Sequence, residues 1–319
     1  MADTKIKQAK RPKKLNFDKW GYVFIAPFFV VFTVFSLIPL ISTFSNSLYE
    51  NYRVGLQTIG PNFVGFANYK AVFQSDILRY IKNTFVLWMA GFIPQIVIAL
   101  LLSIWFTSNE LKIKCQQLFK TVIYMPNLIM ASAFAMLFFT LFSDNGPVNS
   151  ILLKFNMIDA ENPIRFLSSE LWTRGLVATM NFLMWYGNTT ILLMAGIMGI
   201  DSSIFEAARI DGANPVQTFF KITLPLLMPI FIYVLITSLI GGIQMFDVPQ
   251  ILTNGEGNPN RTSMTLIMYL NKHLANKNYG MAGAVSVLTF ALTSVFSFTV
   301  YNMTMSKNTK NRQENAKRV

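Results

Sequence analysis

The sequence has little of the chemistry on which many enzymes depend, with one cysteine and one histidine among 319 residues. A single thiol, Cys115, cannot form an intrachain disulfide or a thiol-based metal cluster. A lone histidine, His273, is more often incidental than catalytic. Charged residues make up only 13% of the chain, whereas soluble domains average about 25%. We therefore expect neither redox chemistry nor a soluble fold.

Motifs for nucleotide, zinc and acyl-transfer chemistry are also missing. The chain has no G-x-x-x-x-G-K-[ST] loop to hold phosphates, no H-E-x-x-H zinc motif and no G-x-S-x-G nucleophile elbow. A membrane-embedded hydrolase would need a nucleophile with a base or a metal, and the apolar segments contain no carboxylate. We predict that the chain is not an enzyme, with no catalytic residue and no metal site.

Hydrophobic residues, in contrast, make up 53% of the chain. They are concentrated in runs without charge, each long enough for a helix across a bilayer, which needs about 20 residues. The six runs are residues 22–44, 83–106, 121–143, 175–200, 222–246 and 278–306. The prediction is an all-α, polytopic membrane protein with six transmembrane helices. Its transmembrane domain (21–306) lies between a basic N-terminal segment (1–20) and a basic tail (307–319).

Lysine and arginine are distributed unevenly between the two sides of these spans. Of 27 such residues, 17 lie in the two terminal segments, the 107–120 loop and a polar loop at 201–225. Because positively charged loops stay in the cytoplasm, we predict that both termini and the polar loop are cytoplasmic. The net charge of +12 largely reflects this bias, so the expected surroundings are membrane lipid and nucleic acid is not an expected partner.

On the other side lie the loops 45–82, 144–174 and 247–277. The first contains "NFVGFANYKAVF", whose aromatic content suits a helix lying along the lipid headgroups. A capping loop that seals the mouth of the bundle is an equally good interpretation.

The polar loop lies between two of the most apolar runs and carries signals for two short helices. Ser203 and Glu206 form an S-x-x-E capping box, which predicts a helix start at Ser203. Gly212 can end that helix in the left-handed conformation, and Asn214 with Pro215 can begin a second one. The second helix is expected to lead toward the membrane, with the fifth span restarting at Pro225. A sharp bend between the two helices follows.

Ala207 and Ala208 leave the expected outer face of the first helix almost free of side chains. Small residues beside one carboxylate, Glu206, would allow another protein surface to approach closely. The alternative is that Glu206 only caps the helix and that the loop is an amphipathic surface turn. Neither interpretation is favoured by these residues alone.

The same residues resemble a known signature. The pattern E-A-A-x3-G-x9-I-x-L-P of binding-protein-dependent ABC importer permeases is matched in full by this loop, with an Asp211 variant typical of the carbohydrate branch. The matching residues are Glu206, Ala207, Ala208, Gly212, Ile222, Leu224 and Pro225. Stretches such as "TVIYMPNLI" and "YGMAGAVSVL" are also similar to this branch, in particular to the larger channel subunit of the maltose importer.

The resemblance implies a type I ABC importer permease fold in the plasma membrane of a prokaryote. It implies that the polar loop is the coupling helix, seated in a cleft of a cytoplasmic ATPase, with Glu206 and the alanines at the contact. The implied partners are a second homologous permease, two ATPase subunits that bind ATP and Mg, and an extracytoplasmic sugar-binding protein. The chain itself would carry no cofactor.

Polar residues within the spans indicate a place for substrate, since such residues usually face a cavity or another helix. Asn181, Trp185 and Asn188 share one face of the fourth span, where an aromatic ring flanked by amides suits a sugar. On the fifth span the candidates are Ser238, Gly241, Gly242 and Met245, which share a face, with Gln244 close by. Ordinary helix packing is the alternative.

The resemblance places most of these positions where the family contacts sugar, although only Ser238 keeps the residue type. We predict the permease subunit of an ATP-driven importer of neutral sugars or oligosaccharides, forming half of the channel. The alternative is an ion-coupled secondary transporter that acts without an ATPase. That class needs ionisable residues within its spans, and the six runs contain none.

Overall fold

The computed structural model describes residues 18–108, 111, 113–159 and 161–316. Most of the basic N-terminal segment and the last residues of the tail therefore lie outside the described residues. Helices dominate the described chain, as predicted. Four are long and apolar enough to cross a membrane, and six spans result when each of two bent helix pairs is taken as one.

The first span consists of α1 (Asp18–Phe32), a π-helical turn (Thr33–Leu37) and α2 (Ile38–Ser47). None of the apolar stretch of this span is buried by the rest of the chain (0%). Only α2 packs closely on another span. Gly283 on the last helix permits this contact, because a β-carbon at residue 283 would lie only 2.8 Å from the backbone nitrogen of Ser47. The rest of the first span presents its apolar side chains outward.

A β-hairpin follows, which the all-α prediction missed. Strand β1 (Tyr49–Val54) pairs antiparallel with β2 (Gln57–Phe63), and the Tyr49 and Phe63 rings pack at 5.5 Å. Gly55, with φ of +59°, makes the turn between them. The aromatic stretch at 62–73 is helical only from Ala67, where α3 (Ala67–Gln74) begins.

The second span is the single helix α4 (Ile77–Thr107). The third span is not a continuous helix over 121–143, since α5 (Gln116–Leu128) and α6 (Ala131–Leu141) are bent by 91°. Pro126 interrupts hydrogen bonding near the end of α5, and the Asn127 side chain donates to the Met184 carbonyl at 2.9 Å. A short helix, α7 (Pro147–Lys154), follows α6.

The fourth span is α8 (Glu170–Met198), which bends by 72° into α9 (Ser202–Ile210) of the polar loop. The chain then continues through α10 (Pro215–Thr218), a π-helical turn (Phe219–Thr223) and α11 (Leu224–Ile243). After α11 come α12 (Asp247–Leu252), α13 (Leu266–Ala275) and the last helix α14 (Tyr279–Ala316).

Helix α8 lies at the centre and packs against α4, α5 and α11. Glycines permit this close packing: a β-carbon at Gly187 would lie 2.0 Å from the Ile123 carbonyl oxygen of α5. Asn83 of α4 contacts Arg174, and Gln95 contacts Thr189, so α4 and α8 run parallel. The bundle therefore has a polar-loop end, at residues 201–225, and an opposite end that carries the β-hairpin, here called the hairpin end.

Candidate functional site

A cavity of about 280 Å³ lies between α4, α8 and α11 in the middle of the bundle. The structure brings together seven of the eight residues that the sequence proposed for substrate. They are Asn181, Trp185 and Asn188 on α8, Ser238, Gly241 and Gly242 on α11, and Met245 two residues after the end of α11. The two predicted helical faces therefore meet across one space.

Gln244 is the candidate that lies elsewhere. Its side chain lines a different groove, together with residues of α13 and α14 such as Leu270 and Ser294. Gln244 is the C-cap of α11, one residue past the last helical position Ile243. Proximity in the sequence did not place it in the cavity.

The cavity also has an aromatic wall on α4, which the sequence pattern did not predict. The Trp88 indole N–H donates to the Ser238 hydroxyl at 3.0 Å, and the ring stacks on Phe92 with centroids 5.3 Å apart. Gly242 makes room for this ring, because a β-carbon there would lie 2.2 Å from its Cδ1 atom. The neighbouring Gly241 has nothing within 4 Å of that position and opens onto the cavity.

The amides of the cavity differ in how much of their hydrogen-bonding capacity is used. Asn181 donates to the Val177 carbonyl at 3.0 Å and to the Met245 sulfur at 3.3 Å. Gln95 is buried and donates to the Thr189 hydroxyl at 2.8 Å. Asn188 is half-buried and has no hydrogen-bond partner among the residues described. It is therefore the amide with free donors and acceptors for a ligand.

The cavity is neutral. None of the described residues that line it carries a charge, and its aromatic side chains are Trp88, Phe92, Trp185 and Tyr233. The Trp185 side chain is 48% exposed. A solute with apolar faces and hydroxyl groups could stack on such rings and exchange hydrogen bonds with amides, whereas an ion would find no counter-charge.

The polar loop begins differently from its prediction. The N-cap of α9 is Asp201, whose carboxylate accepts from the Ser203 backbone N–H at 3.0 Å. The predicted Ser203–Glu206 capping box is therefore wrong, because Ser203 already lies inside the helix. Hydrogen bonds from the Ser203 backbone, and then from its side chain, hold the pKa of Asp201 below its usual value.

The bend of the loop follows the prediction closely. Gly212 has φ of +76°, and the Ala213 N–H closes the end of α9 on the Ala208 carbonyl at 2.9 Å. Asn214 and Gln217 then form a reciprocal capping box, with distances of 2.8 and 3.1 Å. The helix does not restart at Pro225, however. It continues from α10 through the π-helical turn into α11, so the loop and the fifth span form one rod.

The outer surface of the loop is less alanine-rich than expected. Glu206, Ala207 and Asp211 are exposed. Ala208 is only 7% exposed and faces the rest of the chain, which corrects its expected place at the surface. Two apolar side chains that the sequence did not predict at the surface are also exposed, Ile210 at 86% and Val216 at 64%. They flank the bend at Gly212.

The remaining residues of the signature, Ile222, Leu224 and Pro225, lie on the rod at the start of the fifth span. Ile222 belongs to the π-helical turn, and Leu224 and Pro225 begin α11. Ile222 and Leu224 are half-buried, whereas Pro225 is exposed. These three residues therefore lie away from the exposed tip of the loop, in the helical segment that connects the tip to the bundle.

Membrane-length helices around a neutral cavity, with a folded polar loop at one end, define a membrane transport protein. A family model described as the binding-protein-dependent transport system inner membrane component matches residues 84–306. The chain belongs to this family of multi-pass permeases. The match supports the importer permease inferred from the loop signature and gives no support to the ion-coupled secondary transporter.

Individual relatives extend over almost the whole chain. The lactose transport system permease protein LacF of Rhizobium radiobacter is 31% identical over 301 residues, covering 93% of this chain and 97% of LacF. The arabinooligosaccharides transport system permease protein AraP of Bacillus subtilis is 31% identical over 282 residues, covering 86% of this chain and 85% of AraP.

A solved structure shares the fold. It is that of a bacterial ABC transporter involved in the import of the acidic polysaccharide alginate, and it matches with a TM-score of 0.75 at 22% identity. The match covers 91% of this chain and 96% of the other. The chain therefore has the fold of an ABC importer permease, as predicted.

Proposed function

We propose that this chain is the transmembrane permease subunit of an ATP-driven importer of neutral sugars or oligosaccharides. The observation that carries the proposal is the neutral cavity between α4, α8 and α11, lined by aromatic rings and amides. Relatives named for lactose and for arabinooligosaccharides support this class of substrate. The chain would form half of a channel in the plasma membrane of a prokaryote.

The chemistry of the cavity favours a neutral sugar over an acidic one. Trp185 offers a half-exposed ring for stacking on the C–H face of a sugar, and Asn188 offers a free amide for its hydroxyls. An acidic sugar such as alginate, which the structural relative imports, would need a cationic side chain to offset its desolvation. The cavity residues described here provide none.

The polar loop is proposed to carry the coupling to ATP. Exposed Glu206, Ala207 and Asp211, with apolar Ile210 and Val216 beside the bend, would seat in a cleft of a cytoplasmic ATPase subunit. Because α10 and α11 form one rod, movement of the seated loop would be passed directly to the cavity wall. Gly212, Ile222, Leu224 and Pro225 keep the shape of this connection.

The remaining subunits follow from the same proposal. Two ATPase subunits would bind ATP and Mg, a second homologous permease would complete the channel, and an extracytoplasmic binding protein would deliver the sugar. The polar-loop end and both termini would then face the cytoplasm, in agreement with the charge distribution.

The test is uptake of a panel of radiolabelled neutral and acidic oligosaccharides by cells that carry the whole transporter. Wild type is compared with Glu206→Lys and with a matched control, Glu161→Lys, which reverses an exposed glutamate at the hairpin end. We expect uptake of a neutral sugar that Glu206→Lys abolishes and Glu161→Lys preserves, at equal membrane abundance. Normal uptake by Glu206→Lys, or uptake without any ATPase, would refute the proposal.

A further inference from the structure

Gln95 is a buried amide near the middle of the second span. It lies on α4 (Ile77–Thr107) and is only 6% exposed. Polar side chains at such a depth are costly in lipid and usually face a cavity or another helix. Gln95 does both, since it contacts Thr189 of α8 and lines the cavity between α4, α8 and α11. The contact with α8 leaves part of its hydrogen-bonding capacity unused.

The unused part of the Gln95 side chain includes its oxygen. A primary amide has two N–H donors and an oxygen that can accept twice, and here a single N–H donates to the Thr189 hydroxyl at 2.8 Å. No described residue donates to the oxygen. The buried side-chain polar atoms that lack a partner among the described residues are Oγ of Ser263 and Ser297 and Nε2 of His273. The Gln95 oxygen is therefore not enclosed by protein and opens onto the cavity.

The bond to α8 also fixes the direction of the amide. Thr189 is 3% exposed, and its β-branched side chain has restricted rotation on a helix. Because the Gln95 nitrogen is tied to this hydroxyl, the oxygen on the other side of the amide carbon is turned toward the cavity. A ligand group that meets this oxygen must be a hydrogen-bond donor, since an amide oxygen only accepts.

Gln95 lies nearer the polar-loop end of the cavity than Trp88 does. The two residues are two turns apart on α4, about 10 Å along the helix axis at 1.5 Å per residue. Asn188, the amide without a hydrogen-bond partner among the described residues, precedes Thr189 directly and lines the same cavity. Gln95 and Asn188 therefore present amide groups at the polar-loop end, away from the Trp88 ring.

We propose that Gln95 is a specificity-determining residue of the cavity, whose oxygen accepts a hydrogen bond from a hydroxyl group of the sugar, and that Thr189 is the positioning residue that aims it. The inference rests on the proposed function. It adds a chemical requirement, a hydroxyl donor on the part of the sugar nearest the polar loop. An analogue that lacks this hydroxyl would leave the Gln95 oxygen desolvated without a partner, which costs more than the bond itself contributes.

Helix packing alone is the competing explanation, because amides hydrogen-bond across helices in ordinary membrane bundles. Packing accounts for the N–H that Thr189 accepts, but not for an oxygen that faces an open cavity. The two explanations differ in what they predict for sugar discrimination. A packing residue would affect all sugars alike, whereas a specificity-determining residue would distinguish analogues that differ at one hydroxyl.

The experiment compares uptake of one sugar with uptake of its singly deoxygenated analogues by cells that carry the whole transporter. The probe is the neutral oligosaccharide that wild type takes up fastest from the radiolabelled panel. The uptake efficiency of each analogue, relative to the parent sugar, is measured in wild type, Gln95→Met and a matched control, Gln244→Met. Gln244 is an exposed amide that lines a different groove. Because the external binding protein is identical in all three strains, a change in relative efficiency arises in this chain.

We expect wild type to take up at least one analogue about tenfold less efficiently than the parent sugar. Methionine is similar to glutamine in length but lacks the amide oxygen. In Gln95→Met, the relative efficiency of that analogue should therefore rise about tenfold, while the other analogues, which keep the hydroxyl, retain their wild-type values. Gln244→Met should show wild-type values for every analogue.

Wild-type discrimination in Gln95→Met, at a membrane abundance equal to that of wild type, would overturn the assignment and leave Gln95 as a packing residue. If Gln95→Met does not reach the membrane, Gln95→Asn provides the same test, because it withdraws the amide by one methylene, and the same rise is expected. Absence of uptake in wild type would instead show that the proposed function has failed. The two failures are therefore distinguishable.

Thr189→Val tests the positioning role, with Thr189→Ser as the conservative variant. Valine keeps the shape of threonine but cannot accept the Gln95 N–H. We expect the relative efficiency of the same analogue to rise in Thr189→Val, by a smaller factor than in Gln95→Met, and to return to the wild-type value in Thr189→Ser. A lower unfolding temperature without a change in discrimination would show that Thr189 is structural only.

Discussion

The Trp88 ring occupies the space that Gly242 leaves empty, with its Cδ1 atom 2.2 Å from where a β-carbon of residue 242 would lie. The same ring is held by Ser238, one turn earlier on α11, through a 3.0 Å hydrogen bond. One side of the cavity is therefore built by a tryptophan from α4 and two residues of α11 that fix its position.

Replacing Gly242 by alanine should displace the Trp88 ring. Overpacking of this kind costs about 1–3 kcal/mol, and the bond to Ser238 would also be weakened. We expect a lower unfolding temperature of the purified protein and reduced sugar uptake. Gly241→Ala is the control, because nothing lies within 4 Å of its added carbon, and equal destabilisation by the two changes would contradict this account.

Trp185→Ala should weaken sugar binding without disturbing the bundle. The ring is 48% exposed in the cavity, and loss of a stacking surface is worth on the order of tenfold in affinity. Trp105, which is 53% exposed but does not line the cavity, supplies the comparison. The sugar concentration needed for half-maximal uptake should rise for Trp185→Ala and stay unchanged for Trp105→Ala. Similar increases in both variants would argue against a stacking role.

Gly212→Ala should strain the bend of the polar loop. A residue with a β-carbon in the left-handed conformation costs about 1–2 kcal/mol, whereas asparagine tolerates it better. We expect faster hydrogen exchange of the Ala213 amide and lower uptake in Gly212→Ala, with a milder effect for Gly212→Asn. Gly199→Ala is the control, because residue 199 has a helical φ of −80°. In this variant the Ala213 amide should exchange hydrogen at the wild-type rate. If Gly212→Ala does so too, the bend does not depend on glycine.

Asp201 should protect the start of α9 in a pH-dependent manner. Its pKa in the folded protein lies below the ordinary 3.8, owing to hydrogen bonds from Ser203. The stabilisation is therefore present above the unfolded pKa and lost as the pH falls through the folded pKa. Near neutral pH, amides of α9 should exchange faster in Asp201→Ala than in wild type, and the difference should shrink below pH 3.8. Asp201→Asn should retain the cap at both pH values.

Much of the architecture could be predicted because hydrophobic length is a strong signal in a membrane protein. The break in the third span could not be predicted, because residues 121–143 are uniformly apolar. The hydrogen bond from the Asn127 side chain to the Met184 carbonyl of α8 is visible only in three dimensions. The hairpin was missed for a related reason. Its strands do not alternate cleanly, and they are stabilised by docking on Asn278 next to α14.

The cavity was located from α8 and α11 because polar residues there share helical faces. Trp88 escaped notice because tryptophan in an apolar run carries no periodic signal, and its role depends on the absence of a side chain at Gly242. The cap of α9 was misplaced because Asp201 and Ser203 are both good N-cap residues, and the glutamate three positions after Ser203 favoured the wrong one.

The π-helical turn Phe219–Thr223 has a geometric consequence for the whole rod. The Leu224 N–H binds the Phe219 carbonyl five residues earlier, so this turn holds one residue more than an α-helical turn. Each residue rotates a helix by about 100°. The direction in which Ser238 points, relative to the polar loop, is therefore set by one inserted residue. Deleting a residue from this turn would rotate the Ser238 side chain out of the cavity while leaving every later residue of α11 unchanged in type.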